Sequence, residues 1–197
     1  MVSSEVVHDK NGHAGLLVKR FDRYRDGSRQ WRRLPLEEGT QVMALPPAAK
    51  YGVASEDVVL ALAERCEARL PAIRNFYLQF LFAWLTGNGD LQAKNLSILG
   101  DASGGFSPAP VYDVPCTLLY GDETMALPIA DKVKNIRARH WAEFAVALGL
   151  PPRAADSANR LALKAAMSID LEMLPFEGSP LRGAQRELRF RRHELGV

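Results

Sequence analysis

The sequence predicts a mainly α fold of the α+β class: a helical bundle carrying one small hairpin. Three observations predict it. Ile73, Phe76, Phe80, Leu81, Trp84 and Leu85 make one segment apolar on more than one side, as a buried central helix requires. Val58, Val59, Leu62, Cys66 and Leu70 recur at helical spacing just before it. Short apolar runs at 96–99 and 106–111 flank a turn rich in Gly, Asp and Ser, the pattern of two paired strands.

Composition bounds the possibilities. A chain of 197 residues is long enough for one domain with a real core, or for one large lobe. The formal net charge is only +2, so bulk charge does not argue for nucleic acid, although local clusters can. Cys66 and Cys116 are isolated and lack metal-site spacing, which fits a reducing, cytoplasmic setting. No stretch reads as a secretion signal, and the most apolar run, 76–85, is too short to span a bilayer.

The elements follow in order. Residues 1–15 are polar with Lys-Asn-Gly at 10–12: a turn, a hairpin or a frayed end. Residues 16–21 read as a strand. Arg20 near its end is followed by Arg23, Arg25, Arg29, Arg32 and Arg33, with Trp31 among them. It reads as a solvated loop. The sharper alternative is a phosphate- or RNA-facing patch, because an exposed aromatic among cations can stack on bases. Pro46-Pro47 marks a break. Ser55 is placed to cap the next helix, with Glu56 and Asp57 in its first turn. Pro71 lies in the first turn of the central helix, whose aromatics are expected to be core. Residues 117–126 read as a loop. Helices are expected over 137–148, capped by Gly149, and over 154–173 and 179–195. The last is basic, with Arg182, Arg186, Arg189, Arg191, Arg192 and His193: a solvated face, or a phosphate-binding one. His8, His13, His140 and His193 show no metal-ligand pattern, so surface or capping roles are expected of them.

The chemistry gathers between Gly87 and Asp113. The central helix stops at Gly87, and a short turn then presents Asp90, Gln92, Lys94 and Asn95. The second short strand runs into Asp113. In protein kinases a catalytic Asp is followed by four residues and then an Asn that holds magnesium, and a later Asp holds magnesium against the phosphates. Asp90, Asn95 and Asp113 have that order. Magnesium favours few carboxylates, an amide oxygen, waters and phosphate oxygens. Spacing alone is also met in ordinary Asn-Gly-Asp turns.

Several ordered segments add specificity. Asn88-Gly89-Asp90-Leu91-Gln92-Ala93-Lys94-Asn95-Leu96-Ser97 is one. Leu17-Val18-Lys19-Arg20-Phe21-Asp22-Arg23 is another. Arg33-Leu34-Pro35-Leu36-Glu37-Glu38 follows, then Leu45-Pro46-Pro47, Lys50-Tyr51 and Pro108-Ala109-Pro110-Val111-Tyr112-Asp113-Val114. Together they resemble the HipA-like serine/threonine kinases, toxins of bacterial toxin–antitoxin modules. Two positions depart from the family pattern: Gln92 stands where His is usual, and Lys19 where Glu is usual.

The resemblance implies a protein-kinase-like C-terminal lobe over 24–197, preceded by a residual hinge strand region over 1–23. It implies ATP and Mg2+ as cofactors. Asp90 would be the catalytic base. Lys94 would neutralise the transferred phosphate or pair with Asp90. Asn95 and Asp113 would share the metal. Lys19 and Phe21 would meet the adenine mainly through backbone groups, and Gln92 would lie near the nucleotide. The family's nucleotide lobe precedes the hinge, and only about eighteen residues do so here. Little turnover is therefore expected of the chain alone, and Leu16, Leu17, Val18 and Phe21 are expected to lack cover. Expected partners are a helix-turn-helix antitoxin, an upstream lobe in trans and a protein substrate, with DNA reached only through the antitoxin and no membrane involved. The rival reading is a catalytically inactive lobe that serves as an interaction module.

Overall fold

In the computed structural model, which describes residues 1–196, the chain opens with two antiparallel ribbons. β1 (Ser4–His8) pairs with β2 (Ala14–Val18), and β3 (Arg23–Arg25) pairs with β4 (Trp31–Arg33). The first turn closes because Asp9 Oδ1 accepts the N–H groups of Asn11 and His13. The beginning is thus a hairpin rather than a frayed end. The arginine-rich stretch expected as a loop is a second ribbon. Asp26 organises its turn by accepting from the N–H groups of Ser28 and Gln30. Strands of three residues are too short for alternation to show in the sequence.

β5 (Leu36–Glu38), β6 (Ser97–Gly100) and β7 (Phe106–Pro108) form a three-stranded antiparallel sheet. The β6–β7 hairpin was expected. β5 was not, and it adds Glu38 opposite Ser97. β7 ends sooner than residue 111, after which Ala109 N donates to Ser97 O.

The helices are α1 (Gly39–Val42), α2 (Ser55–Glu64), α3 (Arg69–Thr86), α4 (Ala138–Ala147), α5 (Pro152–Met167) and α6 (Gly178–Leu195). Ser55 does not cap α2. Ala54 occupies the capping position, and Ser55 is buried in the first turn with its Oγ unpartnered. The helix expected over 154–173 ends at Met167, and a short 3-10 turn follows at Leu171–Met173. His140 does cap: its Nδ1 accepts from Arg137 N–H at 2.9 Å at the start of α4.

α3 is the axis of the bundle. Phe76, Tyr77, Phe80 and Trp84 on it are at most 1 % exposed, so they are core as expected. Each such side chain contributes roughly 1.5–3 kcal/mol by leaving water. Tyr77 stacks on Phe144 and meets Trp141 edge-on, and Phe80 meets Phe144 edge-on, which locks α4 against α3. No helix among the described residues is long and apolar enough to cross a membrane.

Candidate active site

Gly87 ends α3 with φ 76, a left-handed conformation that glycine adopts without strain. The chain then turns sharply into a buried loop. Asn88 Oδ1 accepts from Asp90 N at 2.9 Å, and Thr117 Oγ1 accepts from Gly89 N at 2.8 Å. A side chain at position 89 would collide with Thr117, Asp122 and Thr124, so only glycine fits this crossing. Gln92 N bonds Asp90 O, and Asn95 N bonds Gln92 O, which coils the loop into a 3-10 turn over Ala93–Asn95.

This coil orients the expected site residues. Asn95 is buried, and its Nδ2 donates to Asp90 O at 2.9 Å. That bond assigns the amide so that Oδ1 is left for a cation. Asp90 is half-buried, and its Oδ1 accepts the Tyr51 hydroxyl at 3.0 Å. Lys94 does not pair with Asp90. Its Nζ lies 3.8 Å from Glu38 Oε1, and that oxygen also accepts from Thr40 Oγ1 at 2.6 Å. Gln92 is buried in the loop with its Oε1 unpartnered.

Asp113 is exposed and has φ 54. A non-glycine residue held in that region carries about 1–3 kcal/mol of strain, tolerated best by Asp and Asn, and such strain gathers at functional sites. Its neighbour Tyr112 ties it to the loop. The Tyr112 hydroxyl donates to Lys94 O at 2.9 Å and lies 2.6 Å from Ser97 Oγ. Asp113 and Asn95 therefore each sit one residue from a single hydrogen bond that joins their segments. Burial pushes the Tyr112 phenol up, so it stays a neutral donor.

The link between the two ribbons lies on the other side. Phe21 does not lack cover as expected. It is half-buried with its ring 5.8 Å from that of Tyr112. Asp22 is buried, accepts from Arg20 Nε at 2.7 Å and lies 3.7 Å from Arg23. The Arg20 hydrogen bond holds its carboxyl below the usual range. Lys19 is exposed, and its N–H is taken by Ser3 O. A cleft of about 450 Å³ runs from Leu16 and Val18 on β2 to Tyr112 and Asp113. Leu16, Leu17 and Val18 are 67 %, 54 % and 42 % exposed, so the apolar row on β2 is open as expected.

Sequence reasoning from spacing missed Tyr51, Glu38, Tyr112 and Thr117. The first three lie inside the ordered segments that carried the resemblance, but no spacing rule marks them.

The donor set suits a hard cation. Among the described residues no three His, Cys, Asp or Glu side chains cluster as a metal cage. The Asp113 carboxylate and the Asn95 amide are the donor types magnesium takes beside a nucleotide. The residues fit that group.

A buried, coiled loop below a central helix, a short sheet and a helical bundle define a kinase-like lobe, and the comparisons agree. The Helicobacter pylori proinflammatory kinase CtkA superposes with a TM-score of 0.56 at 13 % identity, covering 100 % of this chain and 78 % of that one, a likeness of fold. Residues 1–169 match the HipA-like C-terminal domain, and the chain belongs to that family. HipA of Shewanella oneidensis MR-1, solved with HipB and operator DNA, superposes with a TM-score of 0.73 at 25 % identity, over 98 % of this chain and 50 % of that one. Two Sinorhizobium fredii (strain NBRC 101917 / NGR234) relatives carry the names "Putative kinase Y4mE" and "Putative kinase Y4dM". They are 36 % and 29 % identical over 153 and 123 residues, or 72 % and 61 % of this chain. The chain spans 36 % and 28 % of those two proteins' lengths.

Proposed function

We propose that the chain is the catalytic-loop and metal-binding lobe of a HipA-like serine/threonine kinase, transferring the γ-phosphate of ATP to a protein hydroxyl. The observation that carries this reading is the cleft between the β2 row and Asp113. Its volume is that of a small-ligand site, and it has apolar walls at one end and a strained carboxylate at the other. Residues 1–23 act as the hinge region and 24–197 as the lobe.

Asp113 and the Asn95 Oδ1 would hold magnesium, which supplies charge neutralisation on the phosphates. Asp90 accepts the proton of the attacking hydroxyl. It already holds an O–H donor, that of Tyr51 on Oδ1, in the relation a substrate hydroxyl would take at the remaining acceptor positions. Lys94, held back by Glu38, is within the same loop to meet the transferred phosphate. Lys19 O and Phe21 N, which have no backbone partner among the described residues, offer an acceptor and a donor to the adenine edge. Gln92 supports the loop from within.

Much of phosphoryl-transfer catalysis is positioning of the phosphates, and residues 1–196 show no glycine-rich phosphate loop ahead of the hinge. An upstream lobe, supplied in trans or in a longer chain, completes the site. A helix-turn-helix antitoxin of the HipB kind is the proposed regulator, with DNA met through it. The reading as a binding module without catalysis draws on the open row of β2. Calorimetric titration decides between the two. The expected result is magnesium-dependent ATP binding that Asp113→Ala abolishes, with negligible phosphate transfer by the chain alone. Magnesium-independent binding unchanged in Asp113→Ala would remove the metal assignment. Transfer by the chain alone that Asp90→Ala eliminates would show that the lobe needs no partner.

A further inference from the structure

We propose that the β3–β4 ribbon is a binding site for single-stranded nucleic acid, with Trp31 as the stacking surface and Arg23, Arg25 and Arg33 as phosphate ligands. The proposal is independent of the kinase reading.

Charge is the first ground. Residues 19–33 hold seven cations, Lys and Arg, against Asp22 and Asp26, a net +5 in a chain whose total is +2. The rest of the molecule is therefore −3, so the chain's net positive charge comes from this ribbon. Asp22 and Asp26 engage Arg20, Arg32 and, at 3.7 Å, Arg23. Among the described residues Lys19, Arg25 and Arg33 form no ion pair.

Register is the second ground. Arg23 lies opposite Arg33, and Arg25 lies opposite Trp31. Alternation along the strands puts these four side chains on one face. Like charges directly opposed across a ribbon destabilise it. A ribbon of three residue pairs, exposed at Arg33, Arg25 and Trp31, has no core that demands this arrangement. An anion bound on that face relieves the repulsion.

Shape is the third ground. Trp31 is 65 % exposed, and the Arg25 guanidinium lies 4.9 Å from its ring centroid. The indole is braced on one side and open to solvent elsewhere. The ribbon lines a concavity of about 770 Å³, larger than the cleft at Asp113, which Lys19 and Tyr24 also border. Cations bordering an open indole match a phosphate backbone with an unstacked base. An acidic peptide would use the charges but not the ring. A duplex keeps its bases stacked and out of reach of the indole. The ribbon spans roughly 10 Å, enough for two or three nucleotides.

The test uses the whole 197-residue chain and 12-mers of uridylate, thymidylate and a mixed duplex. Trp84 and Trp141 are each 1 % exposed, so quenching of tryptophan emission by an added oligomer reports Trp31. The expected result is saturable quenching by the single strands, weakening as salt rises. Trp31→Ala should lose the quench and weaken binding, followed by anisotropy of labelled oligomer, about 5- to 100-fold. Trp31→Phe should retain most affinity, and circular dichroism checks that both fold. Arg25→Gln with Arg33→Gln should lower the log–log salt slope by about 1.4. Preference for uridylate or for thymidylate assigns RNA or DNA as the natural source. Absence of binding, affinity untouched by these substitutions, or equal competition by duplex or polyglutamate overturns the proposal.

Discussion

At the scale of single residues, Asp22 is a buried carboxylate outside the 87–95 loop. It is buried beside Arg20 and Arg23, in the link between the first ribbon and the second. Its folded-state pKa lies below the ordinary value of 3.8, chiefly through the Arg20 hydrogen bond. The folded protein therefore binds this proton more weakly than the unfolded chain does. The stability Asp22 contributes is complete above the ordinary carboxylate pKa and is lost as pH falls through the depressed folded value. Asp22→Asn should accordingly be destabilised relative to the parent at pH 7, with the gap closing below about pH 4. Urea unfolding at pH 7, 4.5 and 3 measures this, and a gap that stays constant with pH would show that Asp22 acts through shape alone. Cys66 is the opposite case. Burial alone pushes its thiol up to about 11, so it should resist alkylation until the fold opens.

At the scale of elements, α6 shows why a basic helix need not bind phosphate. Arg191 is 2 % exposed, and its guanidinium lies 3.5 Å from the Trp84 ring centroid. It donates to Trp84 O, Glu123 O and Glu187 Oε1, and Arg192 Nε donates to Leu85 O. Trp84 and Leu85 lie in the last turn of α3, where carbonyls lack partners within the helix and favour a cation. Arg191 thus fastens α6 to the last turn of α3, just ahead of the loop that carries Asp90. Desolvation lowers its pKa, and the Glu187 hydrogen bond opposes that. Arg191→Ala should cost about 2–4 kcal/mol, because it orphans the buried Trp84 carbonyl and removes the guanidinium from the Trp84 ring. Arg189→Ala, on the exposed side of the same helix, should stay within about 0.5 kcal/mol. Equal effects in thermal unfolding would show that α6 is held by its apolar contacts through Leu188 and Ala184 instead.

At the scale of the molecule, the β1–β2 hairpin stands apart from the helical core and has two different faces. Leu16 and Val18 look into the cleft that ends at Asp113, while Leu17, opposite Glu5, looks away from it. The two faces should separate ligand binding from association. Leu16→Asp should weaken ATP binding at least tenfold, since one aliphatic contact is worth about 1.5–3 kcal/mol. Leu17→Asp should leave ATP binding alone and reduce self-association measured by light scattering, because an open strand edge with an apolar row pairs with copies of itself. If Leu17→Asp alters only ATP affinity, the assignment of faces is reversed.

The sequence by itself determined the helical class, the central helix, the β6–β7 hairpin, and the loop from Gly87 to Asn95 with Asp113 beyond it. These are legible because helical period, turn chemistry and a stop at glycine are written within a few neighbouring residues. Tertiary structure alone decided who meets whom. Tyr51 reaches Asp90 across 39 positions, and Arg191 reaches Trp84 across 107. Lys94 is drawn to Glu38 because β5 pairs with β6, and Phe21 is covered because the link between the ribbons packs on Tyr112. The three-residue strands β3, β4 and β5 were hidden for a related reason. Their pairing comes from partners supplied by the fold, and three residues carry too little pattern to announce it.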